Sequence, residues 1–292
     1  LLQGTYTFEY GKDSSSTVSI PDNIANNKLV LENDRIIKKV SRHFSIIPEQ
    51  FEYLTRGSDG KEKWVKSISF NNTLGQTILN NLPKEIQQNL GVTISFNDVL
   101  SGKRTMDEFI ATLSDQELDD ISHGEGEMNS TNGVSGNAAV MGGIRSSLRQ
   151  KDIPILSVHD GPSGIRMDYT GSLLPSGAAL AASFNEKYVK SLYSSFSNEL
   201  KKFKVDVILG PGLNILRNPL NGRNFEYFSE DPLLSGMIAA ACIKGIQSDD
   251  SISATPKHFA ANNQEANRER VDDLVTERAL REIYLRNFEI MV

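Results

Sequence analysis

A chain of 292 residues with 38% hydrophobic and 23% charged side chains has the composition of a globular protein, with room for one large domain or two smaller ones. Its net charge of −6 gives no electrostatic reason to expect nucleic acid or an anionic membrane as partner, and it suits a neutral substrate. No run reaches the roughly 18 apolar residues of a membrane span, and no CxxC, HExxH or EF-hand loop offers a metal site.

The opening stretch, LLQGTYTFEYG, lacks a basic n-region and a long apolar run, so it does not read as a signal peptide. It starts directly in strand-like alternation, as though in the middle of a domain. GTYTFEYG, TVSI and KLVLEN alternate polar and apolar side chains with period two around the turn-like GKDSSS. This predicts β-hairpins of an all-β module over residues 1–45. Residues 46–105 are irregular and read as a connector, with some helical periodicity from Thr73 to Leu90 that Pro83 breaks.

A different pattern begins near residue 105. Thr105 to Leu118 predicts a helix capped by Thr105, and HGEGEMNSTNGVSGNAAVMGG, rich in Gly, Asn and Ser, predicts a loop. Ile153–Val158, Val205–Leu209 and Ser251–Ala254 are short apolar runs expected as buried parallel strands. Between and after them, Phe184–Phe203, Pro232–Ile246 and Val275–Met291 predict helices. In the first of these, Tyr188, Leu192, Phe196 and Leu200 are expected on the buried face. The β-α-β-α-β-α order argues for an α/β fold with a parallel sheet, either open or part of a (β/α)8 barrel. Cys242, the only cysteine, lies in the apolar run MIAAACIKGI and is expected to be a buried, inert thiol. A single cysteine favours the cytoplasm over an oxidising compartment.

Polar residues gather where each predicted strand ends. The first runs into His159-Asp160-Gly161-Pro162, the second into Gly210-Pro211-Gly212 and a long loop carrying Arg223, the third into Lys257-His258 and then AANNQEANRER. Taken singly, these are a turn, a surface ion-pair network of Arg223 with Glu226, Glu230 and Asp231, and a satisfied core histidine. Phe225, Tyr227 and Phe228 read as packing residues, and Asn262, Asn263 and Gln264 as the completion of a turn. In a parallel sheet, however, three successive strand ends point the same way, and ligands bind at that face. Asp160 accepts hydrogen bonds, Arg223 and Lys257 donate several, and His258 offers a ring nitrogen. Without a phosphate loop or metal set, such a group fits the hydroxyls of a neutral sugar. An aldolase that forms a Schiff base on Lys257 is a weaker alternative.

The stretches HDGPSGIR, LGPGLNILRNPLNGRNFEYFSEDPLLSG, KHFAANNQE and TERALREIYLRNFE, spanning roughly residues 155–292, resemble glycoside hydrolase family 3, the β-glucosidase and β-xylosidase group. The resemblance implies that residues 106–292 are the first part of the (β/α)8 catalytic barrel. It also implies that residues 1–45 are the end of a fibronectin type III-like β-sandwich, in the domain order of circularly permuted members. It implies that Asp160, Arg166, Arg223, Lys257 and His258 bind the sugar of the −1 subsite, and that Glu226, Glu230 and Arg268 are ion-pair partners supporting them. The implied activity is that of a retaining exo-β-glucosidase that needs no cofactor. The alternatives are a β-xylosidase or a relative that binds carbohydrate without turnover. After Lys257-His258-Phe259 the chain lacks the further histidine of β-N-acetylglucosaminidase members, which favours the glucosidase or xylosidase branch.

The family's nucleophilic aspartate lies in an SDW- or TDW-like motif that does not occur here, and its acid/base glutamate comes from an α/β sandwich domain. Neither catalytic carboxylate is therefore expected in this stretch. The remaining barrel strands and the sandwich are the expected partners, and the 292 residues by themselves are expected to be inactive. His123 is expected to be a solvated loop residue, and His159 either lines the site or packs.

Overall fold

The computed structural model of the chain describes residues 3–11, 16–21, 27–36, 52–66, 74–271 and 273–292. Most of the predicted GKDSSS turn and the end of the predicted β-module lie outside these residues. The chain divides into two compact units, residues 1–43 and 44–292.

In the first unit the alternating segments form short strands, β1 (Gly4–Thr7), β2 (Glu9–Gly11), β3 (Thr17–Ser19) and β4 (Lys28–Leu31). β1 pairs antiparallel with β4 and β2 with β3, so that Tyr6 faces Leu29 and Tyr10 faces Val18. The predicted GTYTFEYG strand is interrupted at Phe8, whose N–H donates to the Asn27 carbonyl at 2.8 Å. The Asn27 side chain is buried and donates to the Ile20 carbonyl at 2.7 Å.

The second unit begins with order where the sequence predicts an irregular connector. Residues 46–105 hold an antiparallel hairpin of β5 (Glu52–Arg56) and β6 (Glu62–Lys66), in which Leu54 is opposite Trp64. Its charged strands and four-residue Gly57-to-Gly60 turn hide the alternation that marks a half-buried strand. Helix α1 (Leu74–Asn80) is shorter than its periodicity predicts, and α2 (Phe96–Leu100) starts from a Ser95–Asp98 capping box. The helix predicted over Thr105–Leu118 is two helices, α3 (Met106–Ala111) and α4 (Asp115–His123). Thr105 caps the first as expected, but TLSDQE contains a second capping box, Ser114 with Glu117, which restarts the chain in a new direction. Phe109 and Leu113 from this break bury against Ile94 and Leu148 in a small core of their own.

A four-stranded sheet carries the polar clusters. Its strands are β7 (Ala139–Gly142), β8 (Ile155–Asp160), β9 (Val207–Leu209) and β10 (Ser253–Ala254), in the order β10-β9-β8-β7. β8, β9 and β10 are the three predicted strands and run parallel, each starting two residues later than expected. β7 lies in the predicted loop and runs antiparallel to β8, with Val140 opposite Ser157. Only four residues long and flanked by glycine and asparagine, it carries no periodic signal. Helix α5 (Ser146–Gln150) connects it to β8.

The helices behind the sheet form the main core. They are α6 (Gly177–Ala182), α7 (Glu186–Lys202), α8 (Pro232–Ile246), α9 (Glu277–Ala279) and α10 (Arg286–Met291), with a π-helical turn over Leu280–Tyr284 that interrupts the predicted C-terminal helix. The buried stripe of α7 is Val189, Tyr193, Phe196 and Leu200, and Tyr188 is exposed. A strict spacing of four drifts around a helix of 3.6 residues per turn, so Tyr188 and Leu192 fall beside the stripe rather than on it. α8 is apolar on nearly all sides because it packs against both α7 and α10. Each fully buried Leu, Ile or Phe of this core contributes about 1.5–3 kcal/mol. Cys242 sits at its centre, where burial pushes the thiol pKa up, as its apolar run predicts.

Candidate functional site

β8 ends in Asp160, and the chain then reverses sharply. Gly161 has φ +138°, and a Cβ there would lie 1.9 Å from the Gly164 carbonyl oxygen, so glycine is required. The reversal lets the Arg166 N–H donate to the Asp160 carbonyl at 2.8 Å, and the Arg166 guanidinium stands 3.6 Å from Asp160 Oδ2.

β9 and β10 stay joined beyond their regular pairing. The Lys257 N–H donates to the Pro211 carbonyl at 2.9 Å, and the Leu213 N–H donates to the Lys257 carbonyl at 2.8 Å. The peptide bonds Gly210–Pro211, Lys257–His258 and Phe259–Ala260 are cis. This extension carries Lys257 past β9 to Asp160, where Nζ donates to Oδ1 at 2.6 Å. The Gly161 N–H donates to the same oxygen at 3.0 Å. Burial raises the Asp160 pKa, but the hydrogen bond and charge of Lys257 and the charge of Arg166 outweigh it and hold the carboxyl below the usual range.

His258 turns to the other side of this strand end. Asn214, buried just after β9, bonds its backbone at both ends: Nδ2 donates to the His258 carbonyl at 2.9 Å, and Oδ1 accepts from the His258 N–H at 2.8 Å. Ring Nδ1 lies 3.2 Å from Asn214 Oδ1 and 3.3 Å from the Tyr227 hydroxyl. Burial, then the charges of Arg223, Lys257 and Arg268, lower the His258 pKa to about 4 against the opposing Glu265, so the ring is neutral at pH 7. Burial is also the main cause that pushes Tyr227 up to about 12.

Arg223 precedes and Glu226 ends a 3-10 turn over Asn224–Glu226, and the Arg223 Nε donates to the buried Glu226 carboxylate. Arg223 Nη1 is 3.8 Å from Glu265 Oε1. Glu265 joins the rest of the group, accepting from Asn262 Nδ2 at 3.2 Å and from Arg268 Nη1 at 3.1 Å. Asn262 also donates to the Tyr227 hydroxyl at 3.1 Å. A polar cavity of about 250 Å³ opens beside it, bordered by Glu265 and residues 267–270.

The structure thus joins Asp160, Arg166 and Lys257 in one cluster and Arg223, Glu226 and Arg268 in another, with His258 next to Lys257 and within the field of Arg223. Glu230 departs from its expected role: it is exposed on the solvent side just before α8 and forms no ion pair among the described residues. His123 is exposed, 2.9 Å from Asp119 one helical turn earlier. His159 packs: it is fully buried, with Nε2 3.2 Å from the Ser157 hydroxyl.

Four polar residues went unrecognised in the sequence as members of this group: Asn214, Tyr227, Asn262 and Glu265. Tyr227 reads as packing, and its ring is fully buried, but its hydroxyl links His258 to Asn262. Asn263, beside them, donates to the Ile215 carbonyl at 2.6 Å and holds the loop. The excess of amides in AANNQE was the available signal, since buried amides are there to satisfy backbone or side-chain partners. No group of three or more His, Cys, Asp or Glu among the described residues is arranged to hold a metal. What the site offers is a carboxylate, an ammonium, guanidinium groups and a neutral imidazole, all suited to hydrogen bonding.

The chain is 40% identical to a β-glucosidase of Ruminococcus albus over 291 residues, which is 99% of this chain and 30% of that protein. Its structure is similar to that of a β-glucosidase from Paenibacillus barengoltzii, with a TM-score of 0.86, 40% identity, and coverage of 99% of this chain and 32% of the other. It also matches β-glucosidase 3B of Thermotoga neapolitana in complex with glucose, with a TM-score of 0.52 and 43% identity over 55% of this chain and 23% of the other. The chain therefore covers between about a quarter and a third of the length of these relatives. The profile described as the glycosyl hydrolase family 3 N terminal domain matches residues 83–292, which contain the whole sheet and every residue of the two clusters, and the chain belongs to that family.

Proposed function

We propose that this chain forms the sugar-binding part of the −1 subsite in a retaining, exo-acting β-glucosidase. The observation that carries the reading is the Asp160–Lys257 pair, with Arg166 beside it and the His258–Arg223 group adjoining, at the C-terminal ends of parallel strands. Asp160, held ionised, would accept hydrogen bonds from neighbouring hydroxyls. Lys257, Arg166, Arg223 and His258 would bond the other ring substituents. Glu226 would keep the Arg223 guanidinium in one orientation, and Glu265 with Arg268 would brace its other side.

On this reading the two carboxyls of hydrolysis belong to the remainder of the full-length protein. One attacks the anomeric carbon to give a glycosyl-enzyme and the other protonates the leaving oxygen, the two carboxyls standing about 5–5.5 Å apart in retaining enzymes. Residues 106–292 would be the first part of a (β/α)8 barrel, residues 46–105 a connector, and residues 1–45 the end of a fibronectin type III-like sandwich.

The test is turnover of 4-nitrophenyl β-D-glucoside and β-D-xyloside by the full-length protein, with the first-formed anomer followed by NMR. Faster release from the glucoside, with β-glucose appearing first, is expected. The α-anomer appearing first overturns retention, preference for the xyloside overturns the glucose assignment, and binding of glucose without turnover of either substrate overturns the enzyme.

A further inference from the structure

Asn214 is almost fully buried, and its amide makes three contacts with one residue, His258. Nδ2 donates to the His258 carbonyl and Oδ1 accepts from the His258 N–H, so the amide cannot be flipped without facing donor with donor and acceptor with acceptor. Oδ1, fixed in this way, presents only lone pairs to ring Nδ1 at 3.2 Å. That contact is a hydrogen bond only if Nδ1 carries the proton. The competing neighbour is the Tyr227 hydroxyl, 3.3 Å from Nδ1. A hydroxyl rotates and both accepts and donates, and this one already accepts from Asn262 Nδ2. It can adapt to a protonated Nδ1, whereas the locked amide cannot adapt to a bare one.

We propose that Asn214 is a positioning residue that holds His258 as the Nδ1–H tautomer and so leaves Nε2 as a hydrogen-bond acceptor for a ligand hydroxyl. Lys257, Arg166 and Arg223 only donate. A hydroxyl both donates and accepts, so an acceptor additional to Asp160 would let more of the ligand's hydroxyls use both capacities. The ligand half of this inference rests on the sugar-binding reading above; the tautomer does not.

The measurement is NMR of the full-length protein labelled with 15N-histidine, without ligand at pH 7, with the His258 signals assigned through His258→Gln. The ring proton is expected on Nδ1, and finding it on Nε2 overturns the proposal. Asn214→Ala is expected to release the proton to Nε2 in at least part of the population, while Asn214→Asp, which keeps an acceptor oxygen, retains it on Nδ1. An unchanged tautomer in Asn214→Ala overturns the role of Asn214. If the alanine variant does not fold, Tyr227→Phe carries the test: the proton stays on Nδ1 if Asn214 holds it, and its departure overturns the assignment.

On 4-nitrophenyl β-D-glucoside, Asn214→Ala is expected to raise KM about tenfold, the equivalent of about 1.4 kcal/mol, with a smaller change in kcat. In a His258→Gln background, where the backbone bonds of Asn214 remain, the same substitution is expected to change KM less than in the wild type, and an equal effect on KM in both backgrounds overturns action through the ring. A protein that turns over no glycoside sinks the enzymatic reading and leaves the tautomer result standing.

Discussion

Lys257 Nζ lies 2.6 Å from Asp160 Oδ1, although 97 residues separate them in the chain. β9 runs between the strands that carry them, so the bond exists only because β8, β9 and β10 are parallel and in register. On the proposed reading, ligand recognition and the alignment of three strand ends share this contact. Asp160→Asn in the full-length protein is expected to lower kcat/KM by about a hundredfold or more, since hydrogen bonds to a charged group contribute about 1.5–3 kcal/mol each. Thermal unfolding should show a smaller loss of about 1–2 kcal/mol, from leaving the part-buried Lys257 without its anion. Unchanged kinetics would remove Asp160 from the site.

Glu226 and Glu230, two of the acids in the Arg223 loop, are expected to behave differently. Glu226 is buried and holds Arg223, so Glu226→Gln leaves a guanidinium whose side chain is only 19% exposed with the more distant Glu265, at 3.8 Å, as its remaining carboxylate, at a cost of about 1–3 kcal/mol. Glu230→Gln changes an exposed residue that pairs with nothing among the described residues, and stability should stay within about 0.5 kcal/mol. Denaturant titration of both variants measures the contrast, and equal losses would contradict the geometry.

His258 makes stability depend on pH in a definite direction. Its folded pKa of about 4 lies below the ordinary 6.5, so between these values the unfolded chain takes up a proton that the folded ring refuses. The penalty is absent above pH 6.5, grows as the pH falls towards 4, and is constant below that. Its full size, reduced by solvent screening, is on the order of 2 kcal/mol. His258→Gln removes this dependence, so the stability difference between wild type and variant, followed by denaturant titration, should shift in favour of the variant between pH 6.5 and 4. A difference that stays flat across that window would show the ring to be solvated.

The contact between α7 and α8 is as close as it is because residue 245 is glycine. A Cβ at Gly245 would lie 2.6 Å from the Lys190 carbonyl oxygen and 2.6 Å from Tyr193 Cβ. Gly245→Ala, which stabilises an isolated helix, is expected here to destabilise the protein by about 1–3 kcal/mol through overpacking. A rise in melting temperature would mean that the two helices separate more easily than their packing implies.

The sequence alone determined the α/β order, the three parallel strands, the helix from Pro232 to Ile246, and the gathering of Asp160, Arg223 and Lys257-His258 at strand ends. These follow from local signals: apolar runs, 3.6-residue periodicity, and proline in a first helical turn. Local signals also held the restart at Ser114, a capping box inside an apparent single helix. Tertiary structure alone decided the rest. β7 and the hairpin β5–β6 exist because of the partners they pair with. Glu265, Asn262, Tyr227 and Asn214 join the site, and Glu230 stays outside it, because of where the loops after β9 and β10 fold back. An amide or hydroxyl looks the same in sequence whether it completes a turn or holds a histidine ring, because a hydrogen bond is a relation between two atoms in space and only the folded chain supplies the second one.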